Sequence, residues 1–282
     1  MSIHEECLSA KDFSRLRELI LTETGIQLCA EKRTMLEARI RRRLRELSIE
    51  SYAQYCNYLF SREGRRDEMV SMIDVVTTNK TDFFREPRHF DFLRESALRE
   101  MEERVGGRPL LIWSAACSSG EEPYTLAMVL SEYGLQRPGF RFRILATDIS
   151  TVVLDKAARA VYTEEMIEPV PASLRHKYFL RSRDRNSGRV KVAPELRQLV
   201  EFRRLNFMDA DYGLSGKADA IFCRNVLIYF DRPTQESILS KLCALLEPNG
   251  YLFVGHSESL HDMSLPVEPV APALYRRLDG RV

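Results

Sequence analysis

The stretch LLIWSAACSSGEEPY, residues 110–124, decides the fold. Leu110–Trp113 is a short apolar run and reads as a buried strand. Ser114–Gly120 is a loop of small side chains. Glu121, Glu122 and Pro123 then open a helix, where a proline in the first turn gives up no N–H that the helix needs. The same strand, loop and helix rhythm recurs downstream. Arg143–Thr147 reads as a strand ending at Asp148, and a helix with Val152, Val153, Leu154 and Ala157 follows. Ala218–Cys223 is another strand, and Asp231 and Pro233 introduce a helix carrying Ile238, Leu242, Leu245 and Leu246, closed by Asn249-Gly250. Tyr251–Gly255 and Ala273–Leu278 read as the last strands. Alternating strands and helices of this kind imply an α/β, doubly wound, mostly parallel sheet.

Upstream the period changes. Residues 10–75 read as helices only: Phe13, Leu16, Leu19 and Ile20, then Leu36, Ile40, Leu44 and Leu47, recur at helical spacing. Further helices are expected over 51–60 and 66–76. The expected division is an all-helical domain over 1–76, a linker over 77–90 and an α/β domain over 91–282. The linker, TTNKTDFFREPRHF, carries Phe83 and Phe84, which must dock on something. Near 162–200 the rhythm breaks into prolines, a polar run and short strand-like pieces, which read as an inserted subdomain containing a hairpin.

Composition excludes several classes. The chain of 282 residues carries 42 basic and 41 acidic side chains, so no global charge points to nucleic acid. The first residues lack a basic and apolar leader, and no apolar run approaches the ~18–20 residues of a membrane span. The six cysteines form no CxxC pair and read as free thiols of a reducing compartment. No HxxxH or HExxH spacing occurs, so no metal site is expected.

Ligands of doubly wound sheets sit outside the carboxyl ends of the strands. The 114–120 loop lets a ligand approach the backbone, although a tight turn explains it equally. Glu121 and Glu122 either complement the helix dipole or receive a cationic, hydroxyl-bearing ligand; a pyrophosphate would be repelled. Asp148 suits ribose hydroxyls or a helix cap. Arg224, Asn225 and Tyr229 follow a strand end like the rim of a site, with core packing as the plain reading of the tyrosine.

Taken together, TTNKTDFFREPRHF (77–90), IWSAACSSGEEPYTLA (112–127), LATDIS (145–150), RRLNFMD (203–209), AIFCRNVLIYFD (220–231) and LFVGHSESL (252–260) resemble the CheR family of chemoreceptor glutamate methyltransferases. The resemblance implies a Rossmann-like S-adenosylmethionine-dependent methyltransferase domain with a small antiparallel β-subdomain inserted, preceded by an all-α domain that docks on receptors. It implies S-adenosylmethionine as cofactor and S-adenosylhomocysteine as product. By position, Asn79, Thr81 and Arg85 match cofactor contacts, Glu122 the acid for the methionine amino group, and Asp148 the ribose acid. Asn206 and Phe207 match the adenine pocket, and Arg224 and Asn225 the methionine side of the sulfonium. Arg85 and Tyr229 are the expected catalytic residues, orienting the substrate carboxylate. The implied partner is the cytoplasmic helical domain of methyl-accepting chemoreceptors; in some members a receptor C-terminal peptide also adds to the β-subdomain. A monomer is implied, cytoplasmic and recruited to membrane receptor arrays without inserting.

The chemistry suits these residues. A glutamate is ionised at neutral pH, with a pKa near ~4.3, so methyl transfer to it needs no general base. Lys32, Arg33, Arg39, Arg41, Arg42, Arg43 and Arg45 form a basic stripe with one acid, Glu37, among them. It reads as a solvated helix face or a dock for an acidic helical surface, and the resemblance favours the dock. GHSES at 255–259 lacks the GxSxG elbow of a hydrolase. The competing readings are a nucleic-acid methyltransferase, against which RNVLIYF stands in place of an NPPY-type motif, and a non-catalytic scaffold that binds cofactor.

Overall fold

The computed structural model describes residues 7–280, apart from the side chain of Arg185. Part of the leader region read above, residues 1–6, lies outside the described residues.

The first domain is a bundle of α1 (Ala10–Thr24), α2 (Arg33–Leu47), α3 (Tyr52–Phe60), α4 (Arg62–Asp67) and α5 (Met69–Val76). Ser9 caps α1 through the Asp12 N–H, and Gly25 ends it in the left-handed region that glycine tolerates. Leu16, Ile20, Leu36, Ile40, Leu44 and Tyr55 are fully buried in its core, as their spacing requires. The single helix expected over 66–76 is two helices, because Ser61 caps a separate short α4.

The linker leads into α6 (Arg88–Phe92) and α7 (Leu98–Val105), joined by the π-helical turn Leu93–Ala97. Next come β1 (Leu110–Ala115), α8 (Glu121–Gly134), β2 (Phe142–Asp148), α9 (Thr151–Arg159) and β3 (Val161–Thr163). They are followed by α10 (Ala172–Tyr178), β4 (Phe179–Arg181), β5 (Arg189–Val192), α11 (Pro194–Arg197) and β6 (Val200–Arg204). The chain continues through β7 (Ala218–Cys223), α12 (Arg232–Ala244), β8 (Leu246–Val254), β9 (Val267–Ala271) and β10 (Leu274–Arg277).

The main sheet has the order β6-β2-β1-β7-β8-β10-β9. It is parallel from β6 to β8, and β10 runs antiparallel to both its neighbours. Strand order reverses between β1 and β7, where such sheets open a crevice beyond the strand ends. Alternate side chains feed opposite faces: Ile112, Ile144, Phe222 and Phe253 pack under α7 and α8, while Trp113, Leu145, Ile221 and Leu252 pack under α12.

The inserted subdomain is a three-stranded antiparallel sheet, β3-β5-β4. Phe83 of the linker is buried against it, with ring centroids 4.9 Å from Tyr162 and 5.6 Å from Phe179. Two edge strands, β6 and β9, were not legible as such, and α12 ends at Ala244 rather than at Asn249-Gly250. The Asn-Gly pair instead sits in β8 at an irregularity: Ala218 pairs with Leu246, yet Ala220 pairs with Tyr251.

Candidate active site

A deep cleft opens at the crevice between β1 and β7. Its floor comes from the strand ends: Ala116 and Ser118 after β1, Thr147 and Asp148 at β2, and Arg224 and Asn225 after β7. Three residues here, Ala116, Ser118 and Asn225, lie in the left-handed region, with φ of 67°, 49° and 59°. The turn into α8 requires glycine. Gly120 has φ 99°, and a Cβ there would lie 2.8 Å from the Tyr162 hydroxyl and 2.9 Å from the Ala157 Cβ.

Both candidate acids on the floor are held. Asp148 accepts the Ser118 N–H (2.8 Å) on one oxygen and the Ser150 N–H (2.9 Å) on the other. The cap of α9 is Ser150, so Asp148 is free of that task. Glu122 accepts from the Ser114 hydroxyl (2.6 Å) and from Arg224 Nη1 (3.0 Å). Burial pushes both carboxyls above their ordinary range, countered by backbone N–H groups at Asp148 and by Arg224 and Ser114 at Glu122. A ligand bringing hydroxyls to one acid and a cation to the other would stabilise both ionised forms.

All ten residues singled out from the sequence line this cleft: Asn79, Thr81, Arg85, Glu122, Asp148, Asn206, Phe207, Arg224, Asn225 and Tyr229. Their commitments differ. Asn206 donates to the Glu23 carbonyl (2.6 Å) and accepts the Met208 N–H (3.0 Å), so its amide also ties the two domains together. Arg85 donates to the Lys80 carbonyl (3.1 Å). The Tyr229 carbonyl accepts the Gln27 N–H (2.9 Å), and its ring lies 5.8 Å from Lys32 Nζ. Glu121 is buried beside Ser119, away from the cleft lining.

Three contributions escaped the sequence. The helical domain is part of the wall, through Thr24, Ile26, Leu28, Lys32, Met35 and Val76. Glu86, at φ 56°, places its carboxylate under the floor, accepting from Arg224 Nη2 (3.0 Å), Asn225 Nδ2 (3.1 Å) and the His256 N–H (3.3 Å). Glu258 accepts the N–H groups of Asn225 (2.9 Å), Leu227 (2.7 Å) and Gly255, and so binds the loops after β7 and β8 together. Both acids fall inside quoted motifs, but nothing local in those motifs marks an acid that serves distant backbone.

The basic stripe is not a row of free cations. Arg39 donates to the carbonyls of Val76 (2.6 Å) and Thr77 (2.9 Å), Arg41 to Tyr52 and Glu37, and Arg43 to buried Glu68. Arg33 reaches the Leu8 carbonyl. Arg42 and Arg45 are the exposed members, and Arg42 is paired with Glu46 at 2.8 Å.

A doubly wound sheet with an acid, Asp148, at the end of β2, another, Glu122, in the first turn of α8, small residues at the turn and no phosphate-binding glycine pattern fits an S-adenosylmethionine-dependent methyltransferase. Residues 11–77 match the family model described as "CheR methyltransferase, all-alpha domain", and residues 79–272 match "CheR methyltransferase, SAM binding domain". The chain belongs to the CheR methyltransferase family. It is 44% identical to chemotaxis protein methyltransferase 2 of Pseudomonas aeruginosa, covering 94% of this chain and 92% of that one. Against the chemotaxis protein methyltransferase of Escherichia coli it is 41% identical over 89% of this chain and 85% of the relative. A Borreliella burgdorferi chemotaxis protein methyltransferase is 37% identical over 96% and 95%. The chain is thus an enzyme with S-adenosylmethionine as its cofactor. Among the described residues no helix is long and apolar enough to cross a membrane.

Proposed function

We propose that the protein methylates glutamate side chains of chemoreceptors, giving glutamyl methyl esters in sensory adaptation. The observation that carries this reading is the composition of the cleft. Arg85 and Tyr229 share it with the acids Glu122 and Asp148, and among the described residues no histidine lines it. S-adenosylmethionine supplies an activated methyl group and leaves as S-adenosylhomocysteine. The residues that would hold it are Asp148 for hydroxyls, Glu122 for the amino group, Asn79 and Thr81 along the linker wall, and Asn206 and Phe207 at the adenine end. Arg224 and Asn225 form the floor between the two ends.

What remains for the chain is to aim and desolvate a carboxylate that is already ionised. Holding reactants in near-attack geometry contributes several kcal/mol. Arg85 and Tyr229 are assigned this aiming. The helical domain, as one wall, closes the cleft to water. Receptor docking is assigned to Arg42 and Arg45, whose charges face solvent, with the enzyme acting as a monomer on the helical cytoplasmic part of the receptor. A receptor C-terminal peptide at the inserted β-sheet would be a second anchor.

The test is transfer of a tritiated methyl group from S-adenosylmethionine to receptor cytoplasmic fragments. Counts released as methanol by mild base support the ester. Label that survives base, or label only on nucleic acid, refutes it.

A further inference from the structure

Beneath the floor of the cleft three metal-ligating side chains converge: Glu86, His89 and His256. One ligand atom of each lies within 4.8 Å of the others. His89 Nδ1 is 3.5 Å from Glu86 Oε2, and the two histidine rings stand edge to face with centroids 5.1 Å apart. His89 is 3% exposed, yet neither of its ring nitrogens has a hydrogen-bond partner. Orphaned polar atoms at such depth are uncommon and mark sites that take an ion or a water. His256 is exposed and gives the cluster an opening to solvent.

We propose that Glu86, His89 and His256 form an inhibitory site for a divalent metal ion of the zinc class. Two imidazole nitrogens and one carboxylate oxygen suit zinc and leave a fourth position for water. Bonds of ~2.0–2.1 Å require the ligand atoms to close to about 3.4 Å of one another, so the cluster must contract. The exposed His256 side chain can move inward, and Glu86 must move toward it. That carboxylate now holds Arg224 and Asn225, both of which line the cleft. The ion and Arg224 therefore compete for one carboxylate, and metal occupancy opposes an ordered floor. By linkage, metal and cofactor weaken each other by the same factor.

The experiment is a zinc titration of the full chain against a chromogenic chelator, without cofactor. It is run in a Cys7→Ser/Cys29→Ser background, because those two cysteines are exposed. One equivalent should bind, at least 10-fold more weakly in His256→Ala and in His89→Asn, and unchanged in the surface control His261→Ala. The His256→Ala variant keeps the backbone N–H that Glu86 accepts, so it decides the matter even where His89→Asn does not fold. Calorimetry should then show S-adenosylhomocysteine bound several-fold more weakly in saturating zinc, and unaffected by zinc in His256→Ala. Absence of a stoichiometric site, or uptake indifferent to both histidine substitutions, overturns the site. Zinc bound with unchanged product affinity overturns its inhibitory role. Because the first titration contains no cofactor, its failure is separate from any failure of the assigned reaction.

Discussion

Replacing Glu86 with alanine removes one of the two carboxylates that compensate Arg224, whose side chain is only 2% exposed. The guanidinium keeps Glu122 at 3.0 Å and the Arg85 carbonyl, so it is left under-compensated rather than unpaired. A hydrogen bond to a charged group contributes about 1.5–3 kcal/mol, and breaking a buried pair outright costs about 3–5 kcal/mol. Asn225 also loses its Nδ2 acceptor, at 3.1 Å. The expected loss is therefore about 3 kcal/mol, read as a fall in melting temperature of ~6–12 °C for a domain of this size. Because Arg224 and Asn225 line the cleft, S-adenosylhomocysteine should bind at least ~10-fold more weakly, or about 1.4 kcal/mol. Glu86→Gln should fall between the two, since its amide oxygen can still accept from Asn225 and His256. Differential scanning fluorimetry and calorimetry read both quantities. An alanine variant that melts and binds like the parent refutes the reasoning. One that melts early but binds normally refutes the link from Glu86 to the cleft.

Burial drives Glu121 from 4.5 up to about 7, against the opposing Ser119 hydroxyl. Its folded pKa exceeds the unfolded one, so the folded chain retains a proton that the unfolded chain releases, and stability falls as pH rises from about 4.5 to 7. Glu121→Gln should then stabilise by up to about 3 kcal/mol at pH 8 and little at pH 5; equal effects in urea denaturation at both would contradict it. Gly255→Ala should destabilise by about 1–3 kcal/mol and loosen product binding. Its Cβ would stand 2.5 Å from Asn225 Nδ2 and 2.8 Å from Glu258 Oε2, so an unchanged melting curve would show that the loop gives way. Reversing Arg42 and Arg45 to glutamate should lower methylation of receptor fragments several-fold while S-adenosylhomocysteine affinity stays the same. A normal methylation rate removes the docking role.

The parts of the fold that local chemistry dictates were readable. Strands β1, β2 and β7 are buried apolar runs, and each ends at a residue that lines the cleft or adjoins one. Their period and their flanking acids both point to one crevice. The edges were not readable, for a physical reason. Strand β6 alternates Glu201, Arg203 and Arg204 with partly covered Phe202, because only one side of an edge strand has a neighbour. The pairing of β8 begins at Leu246, but Glu-Pro-Asn-Gly carries every local sign of a turn. Glu86, Glu258 and the wall built by Ile26, Lys32 and Met35 were invisible because their partners lie far along the chain. In the basic stripe composition counts charges, while folding engages Arg39, Arg41 and Arg43 with carbonyls, Tyr52, Glu37 and Glu68, and Arg42 with Glu46.

The most direct measurement is calorimetric binding of S-adenosylhomocysteine to the parent chain, to Asp148→Asn and to Glu122→Gln. One molecule should bind the parent, and each substitution should weaken it at least ~10-fold, because each removes a carboxylate charge proposed to face one end of the ligand. Undiminished affinity in both variants would place the cofactor somewhere other than the crevice between β1 and β7.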